Sequence, residues 1–309
     1  MHTKFAIRQT IWQRSSYRKM TMKHDYSDIS AWIQVGEGGN GKTYEHPDNP
    51  DILLKVNNAP SNDEATIRRE FDVTQHVLGL GLSTPRIYEM VRVGDGYGLV
   101  FERIKGKRSL SRICADDPSR IAEAAGRLAA LGKQLHATPC DTSFFPSRKT
   151  LALKGIEASD FVDAGDRAVL QAFVQTLADE TTCTHGDFQM GNLIISGEDK
   201  PYWIDLGWFS HGSPLFDLGH LFLICQIYSR FPTTQDIFHM TQAQLQDFWD
   251  AFATAYTGST DHTAFNALVG KFAPLDICIR TVLAPSSTSD AYKELFSQLV
   301  HALVEKFYG

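Results

Sequence analysis

Short apolar runs separated by turn residues fill the first third of the chain, and longer stretches with apolar positions three and four apart follow. Ile33 to Val35 and Asp51-Ile52-Leu53-Leu54-Lys55-Val56 read as strands. So do Arg86 to Val93 and Tyr97 to Ile104, joined by Gly94-Asp95-Gly96, a strong hairpin signal. Between these pairs, Ser61-Asn62-Asp63-Glu64 forms a capping box ahead of Ile67, Phe71, Thr74 and Leu78, which predicts a helix ended by Gly79 and Gly81. Ile121, Ala125, Leu128, Leu131 and Leu135 predict a helix over 118–136, and a second is expected over 166–177, leading into a strand at 182–184. Leu193-Ile194-Ile195 and Tyr202-Trp203-Ile204 flank the turn Ser196-Gly197-Glu198-Asp199-Lys200-Pro201 and predict a short hairpin. The remainder reads as helical. The chain is therefore α+β, an antiparallel sheet with one main helix followed by a mainly helical part.

The chemistry is concentrated between His185 and Asp217. The chain reads His-Gly-Asp-Phe-Gln-Met-Gly-Asn at 185–192, Tyr-Trp-Ile-Asp-Leu-Gly at 202–207 and Gly-Ser-Pro-Leu-Phe-Asp at 212–217. Asp187, Asn192 and Asp205 are what phosphoryl transfer from a nucleotide needs. One carboxylate orients and deprotonates a hydroxyl, while a carboxamide and a second carboxylate are hard oxygen ligands for Mg2+. The predicted hairpin carries Asn192 in at one end and Asp205 out at the other. Asp217 is expected to brace the catalytic loop through backbone hydrogen bonds, or to cap a helix.

These motifs resemble the aminoglycoside phosphotransferase and choline kinase superfamily, small-molecule kinases with a bilobal protein-kinase-like fold. The likeness covers roughly residues 30 to 230, with the pattern nearest to uncharacterised members. It implies that Asp187 is the catalytic base, that Asn192 and Asp205 hold metal ions, that His185 holds the loop, and that the main chain at Glu102 to Ile104 pairs with adenine. Gly186 stands where protein kinases carry Arg. The implied organisation is a basic extension over 1–29, an N-lobe over 30–104 and a C-lobe over 105–309.

Gly36-Glu37-Gly38-Gly39-Asn40-Gly41-Lys42-Thr43 satisfies the Walker A pattern. A Walker loop must open into a helix, yet the chain continues Tyr44-Glu45-His46-Pro47-Asp48-Asn49-Pro50, with two prolines in the would-be helix. The alternative is a glycine-rich cover over ATP phosphates, with Gly36, Gly38, Gly39 and Gly41 between two strands. Lys55 then becomes informative, because a charge inside an apolar run is costly unless it meets an anion. ATP phosphates and a helix carboxylate would supply one. Glu70, beside Ile67 and Phe71, is the expected partner, since Glu64 is explained by capping and the helix dipole. Lys105-Gly106-Lys107-Arg108 is expected to be a solvated exit from the connector. His136, at a helix end, is expected to satisfy local carbonyls.

Composition narrows the class. A chain of 309 residues can hold two lobes, and a net charge of −6 argues against a nucleic-acid binder. Cys114, Cys140, Cys183, Cys225 and Cys278 are odd in number and lack a C-x-x-C pair, so neither a disulfide framework nor a zinc site is expected. No run is long enough for a transmembrane helix, and a cytoplasmic enzyme is expected. Lys4, Arg8, Arg14, Arg18, Lys19 and Lys23 precede the first acid, Asp25. A solvated basic tail is the preferred reading over a transit peptide.

The stretch from Asp205 to Asp217 leaves no room for a protein-kinase activation segment, so the expected acceptor is a small-molecule hydroxyl. Aminoglycosides, amino alcohols and sugar-like molecules are the alternatives. Asp236, Asp247, Asp250, Asp261, Asp276, Asp290, Glu294 and Glu305 would suit a polycation, although solvated helical faces explain them equally well. Trp208, Phe209, Tyr228, Trp249 and Tyr256 would suit a choline cage, although core packing is the preferred reading for most of them. A P-loop NTPase and a catalytically silent kinase-like module are the rival functions.

Overall fold

The computed structural model describes residue 26 and residues 28–38, 41–58, 62–283 and 290–309. The basic tail and Gly39 of the glycine run lie outside the described residues. The chain begins with a hairpin of β1 (Ile33–Gly38) and β2 (Gly41–His46), followed by β3 (Asn49–Asn57) and α1 (Glu64–Gly79). A second hairpin, β4 (Ile87–Val93) and β5 (Gly96–Glu102), completes a five-stranded sheet of order β1-β2-β3-β5-β4. Every neighbouring pair is antiparallel.

The alternation of β3 decides what each face of this sheet does. Ile52 and Leu54 point to one side and pack with Tyr26 and Val100. The opposite parity carries Leu53 and Lys55 into a cleft. Helix α1 covers part of the sheet through Ile67, which is fully buried against Ile87 and Leu99. Burying such a residue is worth about 1.5–3 kcal/mol, enough to fix the helix on the sheet. The cap is Asp63, whose side chain accepts from the Thr66 N–H, rather than Ser61, which lies outside the described residues.

The rest is helical around three short pairings: β6 (Arg108–Ser109) with β8 (Leu193–Ile195) and β9 (Pro201–Trp203), and β7 (Cys183–Thr184) with β10 (Ser210–His211). The helices are α2 (Leu110–Asp116), α3 (Ile121–Ala137), α4 (Arg148–Ala158), α5 (Ala164–Thr176), α6 (Leu215–Phe222), α7 (Pro232–Phe238), α8 (Gln242–Thr257), α9 (Thr263–Gly270), α10 (Ala273–Leu283) and α11 (Asp290–Tyr308). Their common core includes the fully buried Phe188, Phe248, Trp249 and Phe252. The expected helix over 118–136 begins with a 3-10 turn at Pro118–Arg120. Helices α2 and α4 fall in the part expected to be helical, although their bounds were not read from the sequence. The first spans only seven residues, and the second buries Arg148 at its first position, ahead of Leu151, Ala152 and Ile156. None of the described helices is long and apolar enough to cross a membrane.

Two backbone stitches join the sheet part to the helical part. The Trp203 N–H donates to the Ser83 carbonyl at 2.8 Å, and the Gly197 N–H to the Lys105 carbonyl at 2.9 Å. The Ser83 hydroxyl also donates to the Pro201 carbonyl at 2.6 Å. Near the end of α1, His76 stacks on Phe144 with ring centroids 3.6 Å apart.

Candidate active site

Strand register sorts the two lysines of the glycine region. Lys42 pairs with Val56 and Thr43 with Lys55, so Thr43 and Lys55 share one face of the sheet while Lys42 belongs to the other. Thr43 and Lys55 line a cleft of about 400 Å³ between the sheet and the helical part, together with Gly36, Gly41, Glu70, Glu102, Ile104 and Asp205. Gly36, Gly38 and Gly41 lie within the paired strands β1 and β2, with Gly38 opposite Gly41, rather than in a free cover between them. Glycine is required at position 41 because a Cβ would stand 2.5 Å from the Val56 carbonyl oxygen. No helix follows Lys42, which leaves the Walker reading without the dipole it needs.

Lys55 Nζ lies 2.6 Å from Glu70 Oε1, and the pair is only partly exposed. The Asn57 amide donates to the other Glu70 oxygen at 3.3 Å, fixing the carboxylate from two sides. Glu64 instead accepts from the Tyr97 hydroxyl at 2.7 Å. Lys105, Gly106, Lys107 and Arg108 are all exposed, as expected of a solvated exit, and Lys107 also borders the cleft.

The lower wall is built by the hairpin β8–β9 and the loop before it. Leu193 pairs with Trp203, and the Ile204 N–H donates to the Asn192 carbonyl at 3.0 Å, which places Asp205 beside Asn192. Asp205 adopts a left-handed conformation with φ 59°, a strained state for a residue with a side chain. Burial raises its carboxyl above the ordinary value; the nearby charge of Lys55 lowers it, while Asp187 and Glu70 raise it. Asn192 donates its amide to the Asp187 carbonyl at 2.9 Å and to Asp187 Oδ2 at 2.7 Å. With its NH2 group spent, its carbonyl oxygen has no hydrogen-bond partner among the described residues. The Asp205 carboxylate has none either. A carboxamide oxygen and a carboxylate without hydrogen-bond partners, on adjoining backbone, are the donor types that could hold a magnesium ion.

Asp187 is gripped from the opposite side as well. His220, fully buried on α6, brings Nε2 to 2.9 Å from Asp187 Oδ1 and Nδ1 to 2.9 Å from Asp276 Oδ2. A ring with a carboxylate at each nitrogen is held as an imidazolium. Burial would lower its pKa, but the charge of Asp276 and the hydrogen bonds to both carboxylates push it up to about 9. Burial alone would raise the Asp187 carboxyl. The hydrogen bond and charge of His220, with Arg280 and His185, instead hold it well below the usual carboxylate range. His220, Asp276 and Arg280 were not foreseen from the sequence. Their only signals are a polar residue one helical turn after Asp217 and the i,i+4 spacing of Asp276 and Arg280.

Asp217, with no exposure, accepts the N–H groups of His185 at 2.7 Å and Gly186 at 2.9 Å. His136 Nε2 lies 3.1 Å from its Oδ2. That side chain therefore supports the loop, contrary to the expectation that it would satisfy local carbonyls. His185 Nε2 lies 3.1 Å from the Ile204 carbonyl, tying the loop to the residue before Asp205. Gly186 has φ 86°, and a Cβ there would collide with the Trp208 carbonyl oxygen. Gly186→Ala is accordingly expected to cost at least about 2 kcal/mol in urea unfolding, where a change below about 0.5 kcal/mol would contradict the collision.

Core packing, the preferred reading of the aromatics, holds for three of the five candidates for a choline cage. Phe209 and Trp249 are buried in the core, and Tyr256 stacks on Phe252 and Phe265. The acidic surplus does not converge. Asp276 is buried and ion-paired, while Asp236, Asp247, Asp250, Asp261, Glu294 and Glu305 are exposed.

Residues 32–259 match the model of the phosphotransferase enzyme family. No protein of curated function matches the sequence. Among solved structures, the fold is similar to choline kinase LicA from Streptococcus pneumoniae, with 17% identity over 89% of this chain and 93% of that one and a TM-score of 0.56. It is also similar to a mutant aminoglycoside 2'-phosphotransferase-IIIa in its GDP complex, with 15% identity, coverage of 91% and 94%, and a TM-score of 0.56. A thermostable aminoglycoside phosphotransferase APH(4)-Ia in ternary complex with ADP and hygromycin B gives 13% identity, coverage of 90% and 95%, and a TM-score of 0.57. At such identities the likeness speaks for the fold, the bilobal kinase-like arrangement.

Proposed function

The chain belongs to the phosphotransferase enzyme family, and from that premise we propose that it transfers the γ-phosphoryl group of Mg-ATP to a hydroxyl of a small molecule in the cytoplasm. The observation that carries this reading is the convergence at one cleft. Lys55, paired with Glu70, faces Asp205 across it, and Asp205 adjoins an Asn192 that is hydrogen-bonded to Asp187.

Adenine would lie between Leu53, Phe101 and Ile104 on one side and Ile194 and Ile204 on the other, with the connector main chain at its edge. Lys55 would meet the phosphates, its own position fixed by Glu70. Asn192 and Asp205 would hold Mg2+, whose contribution is to neutralise charge on the transferred phosphoryl group. Asp187 would accept a hydrogen bond from the acceptor hydroxyl and set it in line for attack. Because His220 and Asn192 keep Asp187 a weak base, proton transfer is expected late, as suits a loose transition state. Between Asp205 and Asp217 lie one 3-10 turn and the two-residue β10, too little to dock a peptide, which supports a small acceptor.

The assignment of the two lysines is tested by ATP titration. Lys55→Ala should raise the Kd for Mg-ATP roughly 10- to 100-fold, the value of a lost charge-assisted contact, while Lys42→Ala changes it less than about twofold. The opposite order would restore the Walker reading. Magnesium-dependent ADP formation over a panel of hydroxyl compounds tests the activity itself, and intact ATP binding without turnover of any compound would favour a silent module.

A further inference from the structure

Around Asp187, among the described residues, the carboxylates of Asp187 and Asp276 face three cationic groups, His220, Arg280 and the buried Arg148. Arg280, in the last turn of α10, brings Nη2 to 3.7 Å from Asp187 Oδ1 and Nε to 3.2 Å from Asp276 Oδ2. Its Nη2 also lies 3.0 Å from His220 Nδ1. The guanidinium covers the face of Trp208, 4.9 Å from the ring centroid. Among the described residues a cationic acceptor would meet no unneutralised carboxylate there, and the Trp208 face is already occupied by a cation.

Arg280 keeps a capacity it does not use internally. Its Nη1 has no hydrogen-bond acceptor among the described residues, and its side chain retains 21% exposure. Immobilised by Asp276 and the Trp208 ring, it presents part of a planar donor fork within reach of whatever bonds to Asp187. Carboxylates and phosphates match that geometry, and a fork already held in place loses little freedom on binding them.

On the phosphotransferase reading above, we propose that the acceptor carries an oxyanion group, carboxylate or phosphate, near the hydroxyl that is phosphorylated, and that Arg280 receives it. Arg280 is then the specificity-determining residue of the acceptor site. An aminoglycoside or a quaternary amino alcohol is a poor fit, and a neutral sugar forgoes the Arg280 contact.

The test uses the full chain saturated with a non-hydrolysable ATP analogue and Mg2+, so that added oxyanions do not occupy the nucleotide phosphate site. Gluconate and glycerate, glycerol 3-phosphate, the neutral glucose and glycerol, and the cationic choline and kanamycin are titrated by calorimetry and, with ATP, assayed for ADP release. At least one oxyanion compound should bind ten times or more tightly than its neutral counterpart, with choline and kanamycin weaker still. Whether the carboxylates or the phosphate lead decides between the two sources. Arg280→Met should erase that preference with the Kd of ATP unchanged, and Arg280→Lys should restore part of it. The proposal is overturned by tighter binding or turnover of choline or kanamycin, by an oxyanion set that does not bind, or by an unchanged preference in a folded Arg280→Met. Where choline or kanamycin is turned over, the kinase reading survives, since phosphoryl transfer has been seen. Failure of wild-type protein to bind Mg-ATP at all removes both. The wild-type arm decides the matter even if the Met variant does not fold.

Discussion

Asp187→Ala is expected to lower phosphoryl transfer roughly 10²- to 10⁴-fold, the range for removing a group that positions and accepts a proton. The Kd for Mg-ATP should shift less than about threefold, the pattern of an interaction made mainly in the transition state. The separation follows from where the carboxylate sits. It does not line the nucleotide cleft, and its oxygens are taken by His220 at 2.9 Å and Asn192 at 2.7 Å. Truncation removes the hydroxyl's partner while the glycine hairpin, Lys55 and the connector stay in place. Asp187→Asn should lose nearly as much, because its amide would face donors where the carboxylate accepted. Calorimetry for ATP and coupled detection of ADP measure the two quantities; turnover within tenfold of wild type, or ATP affinity lost in proportion, would refute the assignment.

Asp217→Ala is expected to destabilise the protein by about 3–5 kcal/mol, the cost of stripping one partner from a buried charge network. Three groups lose their acceptor: the N–H of His185, the N–H of Gly186 and the His136 ring. Arg148, itself fully buried with Nε and Nη1 already unpartnered, loses a nearby countercharge. The acid limb adds a second signature. Burial would raise the Asp217 carboxyl, but the hydrogen bond and charge of His136, with Arg148 and His185, hold it below 3.8 in the folded chain. A depressed carboxyl contributes stability that is complete above its ordinary value and disappears as pH falls below it. Urea unfolding between pH 7 and pH 3 should therefore show a flatter acid decline in the variant. A loss at neutral pH under about 1 kcal/mol would mean that the loop holds itself.

What the sequence revealed, and what it did not, follows from the range of the interactions involved. The hairpin β8–β9 was legible because its turn and its apolar runs are contiguous, and the same spacing brings Asn192 up to Asp205. Glu70 could be preferred over Glu64 because helix periodicity says which carboxylate faces the sheet. The group around His220 was invisible, since Asp187, His220 and Asp276 come from a loop and two helices far apart in the chain. No local pattern ties them together. The aromatics and the acidic surplus could not decide the acceptor for the opposite reason. Composition reports how many such side chains exist, and packing had already committed Phe209, Trp249 and Asp276 to the interior. The complete burial of Arg148, at the start of α4, was equally hidden, because in sequence an arginine looks like a surface residue.

The stitch at Ser83, just beyond α1, and His76 stacked on Phe144 have a bearing on how such a protein can be controlled. Kinases that are switched by modification rely on a mobile helix that withdraws its glutamate from the lysine. Here that helix is moored to the other half of the molecule at its far end, so the ion pair should stay assembled whether or not nucleotide is present. Such a catalyst has no off position to be released from. Its output should simply follow the supply of its two reactants.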